Sequence, residues 1–348
     1  MARESDDYGM DHYVRMKPPA GSRLQRHWII RWFTPNILAL LVAFCFFLGW
    51  LLAAPTEHFG PKDITDPSKP PSRIDLPRVY AIVQEIVFEK FDDAAHAGYV
   101  HYDPVAPEFF SRNDFNWHFI TSPILGAVPD HFTTEEDIAK VNETHVLSLA
   151  RRSPYRPTML LKPTKSEYST EDINKDDILA ATAVLRSFHP PMVMAVSVGE
   201  NAVDPKQKKA MRIFAAPADF ELWPGRAWSD FHPTFHLEGI PFRHFVLRLH
   251  PRMPGKDVVR NFNRVLAECK KVIGQRPEIP GLGYTIAMSK DWIVAIPRRH
   301  PGLPPNDAPV LPEVMLGLVS VGSQEERDYW DTVGYEMTLR EMGVAFFV

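Results

Sequence analysis

A run of 25 uncharged residues, Trp32 to Thr56, constrains this chain more than any other feature, because everything after it reads as ordinary soluble sequence. A helix crossing a hydrocarbon core needs about 20 predominantly apolar residues. Ile37 to Ala54 supplies an apolar stretch of nearly that length, with Gly49 as its weak helix former. Thr34 and Pro35 form an N-cap and first-turn pair, Pro55 closes the segment, and Trp32, Phe33 and Trp50 sit where interfacial aromatic belts lie. The stretch has no polar face, which sets it apart from a buried core helix. The expected organisation is a polar tail over 1–31, a transmembrane helix over 32–56, a linker over 57–75 and a globular domain over 76–348.

Arg23, Arg26 and Arg31 precede the span closely and the first charge after it is Glu57, so the positive-inside rule places the domain across the membrane from the N-terminus. About 30 polar residues before the apolar run argue against a cleaved secretory signal. Glu4, Asp6, Asp7 and Asp11 argue against a mitochondrial transit peptide. Of the two cysteines, Cys45 falls in the span and Cys269 in the domain, so the domain cannot close a disulfide on itself. One glycosylation sequon, Asn142-Glu143-Thr144, is what chance supplies in a chain of this length. The expected setting is the mitochondrial inner membrane, or a comparable organelle membrane, with the domain in the intermembrane space.

A net charge of -4 and a pI near 6.4 give no basic field for nucleic acid. The chain has 33 prolines, and they cluster over residues 55–77, which marks that stretch as a stiff spacer. Beyond it, Val79, Ile82, Val83, Ile86, Val87 and Phe91 recur at helical spacing, and Gly98 stands where a C-terminal cap belongs. Strands are expected over 115–124, 158–162, 192–198, 211–215, 242–249, 284–288, 292–296 and 316–321, and helices over 174–188 and 256–273. A last helix opens on the capping box Ser323-Gln324-Glu325-Glu326 and turns Tyr329, Trp330 and Val333 inward. Strands and helices mix without βαβ alternation, which indicates an α+β domain with a mainly antiparallel sheet.

Residues Tyr284 to Arg299, YTIAMSKDWIVAIPRR, resemble the C-terminal region of diadenosine tetraphosphate phosphorylases, also called ATP adenylyltransferases. Met315 to Val321 and Glu341 to Val344 resemble the strand and the terminal Val-Gly helix that follow in that family. Upstream, Arg156 to Lys162 through Asp176-Asp177-Ile178-Leu179, and then Pro241 to Phe245, resemble earlier blocks in the same order. The resemblance covers most of residues 80–348 and implies a histidine-triad-like fold: a curved antiparallel sheet flanked by helices, here preceded by one transmembrane helix.

The family's chemistry depends on a His-x-His-x-Gln segment after a strand and a small-residue turn. One imidazole attacks the α-phosphate while fixed donors hold the developing charge. Here Met192 to Val198 leads into Gly199-Glu200-Asn201-Ala202-Val203-Asp204, and Pro205 and Gln207 stand at the imidazole positions. No two of the chain's 14 histidines lie two residues apart, so a shifted alignment restores nothing. Proline has no side-chain nucleophile and an amide is too weak a one, and Glu200 would repel phosphate. What remains is Lys206, Lys208, Lys209 and Arg212, read either as residual phosphate-binding cations or as a solvated basic turn.

His232, His236, His244 and Glu238 have a spacing that could suggest metal, but Pro233 and Gly239 break the helix such a site needs, so no metal is expected. Trp223, Trp228, Phe231 and Phe235 form an aromatic segment that is either a contact surface or a core-lining loop. No other nucleophile or phosphate-loop motif is present, and no cofactor is expected. The resulting expectation is a non-catalytic accessory or scaffolding subunit of a membrane complex, with the ATP synthase or a respiratory complex as host. Its partners would be the other subunits and, through Trp32 to Thr56, the bilayer. The alternatives are an anchored sensor of ATP or dinucleoside polyphosphates, and a nucleotidyltransferase that keeps activity through another nucleophile.

Overall fold

The structure is a computed structural model and describes residues 76–126, 133–200, 202–204, 206–276, 281–303 and 308–346. The expected tail, transmembrane helix and linker lie outside the described residues. Among the described residues no helix is long and apolar enough to cross a membrane.

The apolar periodicity near residue 80 becomes helix α1 (Leu76–His96), and Gly98 follows it with φ +75°. β1 (Glu108–Arg112) and β2 (Phe115–Thr121) pair antiparallel, and a single helical turn, α2 (Pro123–Gly126), follows. β3 (Thr133–Val141), β4 (His145–Ala150) and β5 (Thr158–Pro163) make a meander. Helix α3 (Lys175–Arg186) starts on a reciprocal cap: the Asn174 side chain accepts from the amides of Asp176 and Asp177, and Asp177 accepts from the Asn174 amide. β6 (Met192–Val198), β7 (Met211–Ala215), β8 (Phe245–Arg248), β9 (Gly283–Met288) and β10 (Trp292–Arg298) complete the main sheet. Its order is β3-β4-β5-β7-β6-β9-β10-β8, and each neighbouring pair is antiparallel.

Strand alternation divides the core in two. Met192, Met194, Val196, Met211, Ile213, Ile286 and Ile293 face α1, α3 and α4 (Gly255–Gly274) in one apolar cluster. Val193, Ala195, Phe214, Ala287 and Val294 face the other way, against the aromatic residues of β2 and the C-terminal elements. Those elements are β11 (Gly302–Leu303), β12 (Ala308–Pro309), a 3₁₀ segment (Pro312–Leu316), β13 (Leu318–Val321), α5 (Gln324–Val333) and α6 (Tyr335–Met342).

The α+β assignment and the antiparallel sheet agree with the sequence reading. Among the elements expected from the sequence, differences cluster at the ends. The expected strand over 316–321 starts only at Leu318, because Leu316 ends the 3₁₀ segment and Gly317 turns the chain at φ +87°. A Cβ at Gly317 would lie 2.3 Å from the Asn116 carbonyl oxygen, so the close approach requires glycine. β13 then pairs parallel with β2 in a separate three-stranded sheet. The strand expected over 115–124 stops at Thr121 before Pro123, and that over 242–249 shortens to Phe245–Arg248. Of the three residues expected inward on α5, Trp330 is buried and Tyr329 and Val333 are half-buried.

Candidate functional site

The turn between β6 and β7 is the place where the family motif would stand. Gly199 opens it at φ +100°, and a Cβ there would lie 2.6 Å from the Gly283 Cα, so the turn sits directly on the first residue of β9. Five of its amides are already committed. Ala202 and Val203 donate to the Gly199 carbonyl, Gln207 to the Asp204 carbonyl, Lys206 to Asp204 Oδ1 and Lys209 to the Glu167 carbonyl. These five amides are therefore not open to an anion.

A cavity of about 80 Å³ lies beside this turn, lined by Ser197, Ala202, Gln207, Lys208 and Arg212 on one side and by Val310, Leu311 and Pro312 on the other. That volume holds a phosphoryl group; a whole nucleotide needs roughly 300 Å³ or more, so base and ribose would lie outside it. Larger recesses, near 430 and 460 Å³, open beside α3 and beside Phe220, Arg248 and Trp292. Neither adjoins the turn. No histidine lines the small cavity.

The sheet behind the cavity carries polar groups. Ser197 and Thr285 share a hydrogen bond of 2.8 Å across β6 and β9. Arg298, fully buried, donates to Thr285 Oγ1 and to the carbonyl oxygens of His300 and Pro301. Burial holds its guanidinium at about 10, below the usual arginine value, and all three partners are neutral. Arg212 Nε meets Glu313 Oε1 at 3.2 Å, with both side chains at most 5% exposed, which ties the 3₁₀ segment onto the sheet. The Trp223 indole N–H, donating to the Met315 carbonyl at 2.9 Å, adds a second tie.

Of the four cations singled out from sequence, Lys208, Lys209 and Arg212 border the cavity, but Lys209 and Arg212 are held in buried ion pairs. Lys206 is exposed. Lys208 is exposed as well and lies 3.8 Å over the Tyr168 ring at the rim of the cavity. Lys209 is buried on the helical side of the sheet, 2.7 Å from both Glu167 Oε2 and Asp177 Oδ2. Asp177 also meets His145 Nε2 at 2.9 Å. Burial alone would raise the Asp177 carboxyl, but hydrogen bonds from His145, Lys209 and the Asn174 amide outweigh it and hold it below the carboxylate range. Gln207 is half-buried at the cavity wall, Glu200 is exposed, and Pro205 lies outside the described residues. Sequence reasoning passed over Ser197, Thr285, Arg298 and Glu313. For the first three the signal was polarity within otherwise apolar strands, and for Glu313 a lone acid in the apolar stretch that forms the 3₁₀ segment.

His232 and His236 are exposed while His244 is fully buried with Nδ1 against the Phe242 carbonyl, and no cluster suited to metal occurs among the described residues.

With this geometry in place, the known structures can be compared. The yeast Ap4A phosphorylase superposes on 76% of this chain and 98% of its own, with a TM-score of 0.65 and 16% sequence identity. The fold is that of an Ap4A phosphorylase. The same yeast protein in complex with Ap4A gives 17% identity over 76% of this chain and 98% of that one, and in complex with AMP 17% over 76% and 96%, each at TM-score 0.65. Independently, residues 238–345 match the family model for the ATP adenylyltransferase C-terminal domain. No curated protein matches the sequence at a significant level. These findings agree with the resemblance seen in the motifs. They overturn the expectation that the domain is not an enzyme, which rested on Pro205 and Gln207 at the imidazole positions, on Glu200 and on the lack of another nucleophile motif: the fold is shared with the yeast Ap4A phosphorylase, solved in complex with Ap4A. They name nucleotide chemistry and no membrane complex.

Proposed function

We propose that the domain binds the phosphate chain of ATP or of a dinucleoside polyphosphate at the cleft between the 199–210 turn and the 310–312 segment, and transfers from it by direct displacement. The observation that carries this reading is the phosphate-sized cavity beside the turn, backed by a buried arginine whose hydrogen-bond partners are all neutral. A guanidinium with no carboxylate partner leaves a positive field in a low-dielectric interior, and Lys208 adds a cation at the rim. The yeast protein with this fold was solved with Ap4A and with AMP, which supports the substrate class.

Without imidazoles at 205 and 207, a nucleotidyl-histidine has no place to form there. In direct displacement an oxygen of inorganic phosphate forms the new bond to the α-phosphorus as the bond to the departing nucleoside polyphosphate breaks, and the leaving oxygen carries off the charge. Transition-state stabilisation then falls to positioning and to the positive field. Incubating the full chain with α-labelled Ap4A and phosphate, then quenching in acid, tests this. Labelled nucleotide product without label on the protein is expected. A covalent nucleotidyl-protein would contradict the direct route, and absence of any product would contradict transfer altogether.

A further inference from the structure

One surface segment inverts the usual burial pattern. Between Trp228 and Phe235 the small polar residues Ser229 and Thr234 are buried, while Trp228, Phe231 and Phe235 are 81%, 73% and 68% exposed. The segment is well held. Thr234 exchanges both backbone hydrogen bonds with Val246 on the edge strand β8, at 2.8 and 2.9 Å, and the Arg248 amide donates to the Ser229 carbonyl at 2.8 Å. Ser229 Oγ accepts from the amides of Phe231 and His232. Three large aromatics are thus presented outward from a fixed backbone, and nothing in the core accounts for them. Two cations flank them: Arg248, and Arg264, which donates to the Phe231 carbonyl at 3.4 Å. Neither pairs with a carboxylate among the described residues, and Asp230 is the acid within the segment.

We propose that this aromatic segment docks into the interface of an anionic phospholipid bilayer. Tryptophan and phenylalanine on a rigid support, rimmed by arginine, suit the boundary between headgroups and acyl chains. The uncharged run Trp32–Thr56 ends only 19 residues before α1, a length that spans at most roughly 65 Å. A bilayer holding that run is therefore always within reach of the domain, at a high effective concentration. The proposal rests on the membrane assignment of that run and not on the nucleotide reading, which could fail without affecting it.

The test uses the full chain in a Cys45→Ser background, reconstituted into phosphatidylcholine vesicles with or without phosphatidylserine, each also made with acyl-brominated lipid. Cys269 is buried, so an added cysteine takes an environment-sensitive fluorophore selectively. Asp230→Cys places the label among the aromatics, and Lys165→Cys places it after β5, in the opposite half of the sheet. Expected are a blue shift and loss of emission at 230 with brominated lipid, strongest with phosphatidylserine, and neither at 165. Adding Trp228→Ser, Phe231→Ser and Phe235→Ser should abolish the quenching at 230; these side chains are exposed, so the fold stays intact. Unquenched label at 230, equal quenching at both sites, or quenching that survives the triple substitution would each overturn the proposal. So would a full chain that does not incorporate into vesicles, or a label at 230 that is shielded by a co-purifying protein.

Discussion

Arg212 lies in β7 and pairs with Glu313 of the 3₁₀ segment, while Lys209, two residues before that strand, pairs with Asp177 at the start of α3 on the helical side. The charge cluster that reads as one basic turn in the sequence is therefore two buried ion pairs on two sides of a sheet, plus two surface lysines. Lys209→Met would leave Asp177 and Glu167 without their cation, and we expect a loss of about 3–5 kcal/mol in urea unfolding. Two histidines make a separate prediction. His118 sits among Phe109, Tyr155 and Phe220, and His244 is closed in by Trp223, Phe242 and Phe346. Burial pushes each imidazole down to about 4. In the unfolded chain they titrate near 6.5, so between those values the unfolded state binds more protons and stability falls as the pH is lowered. By pH 5 the loss is about 2 kcal/mol per ring. Urea midpoints measured from pH 7 to pH 5 should drop, and His118→Gln with His244→Gln should flatten that slope. An unchanged slope would mean that these rings are protonated in the folded chain.

At the level of elements, the 3₁₀ segment over Pro312–Leu316 is held to the sheet by Arg212 with Glu313 and by Trp223 with the Met315 carbonyl. Removing one charge of a buried pair costs more than removing both. Glu313→Gln should destabilise by about 3 kcal/mol, while Arg212→Met with Glu313→Leu should lie close to the parent protein. A double-variant loss equal to the sum of the two single losses would show that the pair is not coupled. Asn174→Ala should cost α3 about 1 kcal/mol in thermal or urea unfolding through loss of the reciprocal cap. Much of this level was legible in the sequence. α3 and α4 announce themselves by apolar period and β6 by an unbroken apolar run, and β9 and β10 appear as two strands separated by Ser289-Lys290-Asp291. β1, β3 and β4 escaped notice because Glu108–Arg112 is mostly exposed and TTEEDIAKV and HVLSLA carry too many polar residues for a strand period. The partner of β13 was hidden for a different reason. Pairing with β2 joins residues about 200 positions apart, and no local pattern encodes that.

For the molecule as a whole, one eight-stranded sheet separates two cores, and the cleft lies on the face covered by the C-terminal elements. Its position follows from the family resemblance in the sequence; its lining does not. Ser197 lines it, and Thr285 and Arg298 stand behind Ser197, on three strands that meet only in the folded sheet. The loss of the two imidazoles was plain from residues 205 and 207, but inferring inertness from it assumed that the fold has a single route to chemistry. Isothermal titration of the full chain with ATP and with Ap4A tests the central claim most directly. Saturable binding is predicted, weakened about ten-fold or more by Gln207→Glu, which places an anion in the wall of the cleft. No heat of binding at millimolar nucleotide, or equal affinity in the Gln207→Glu variant, would contradict it.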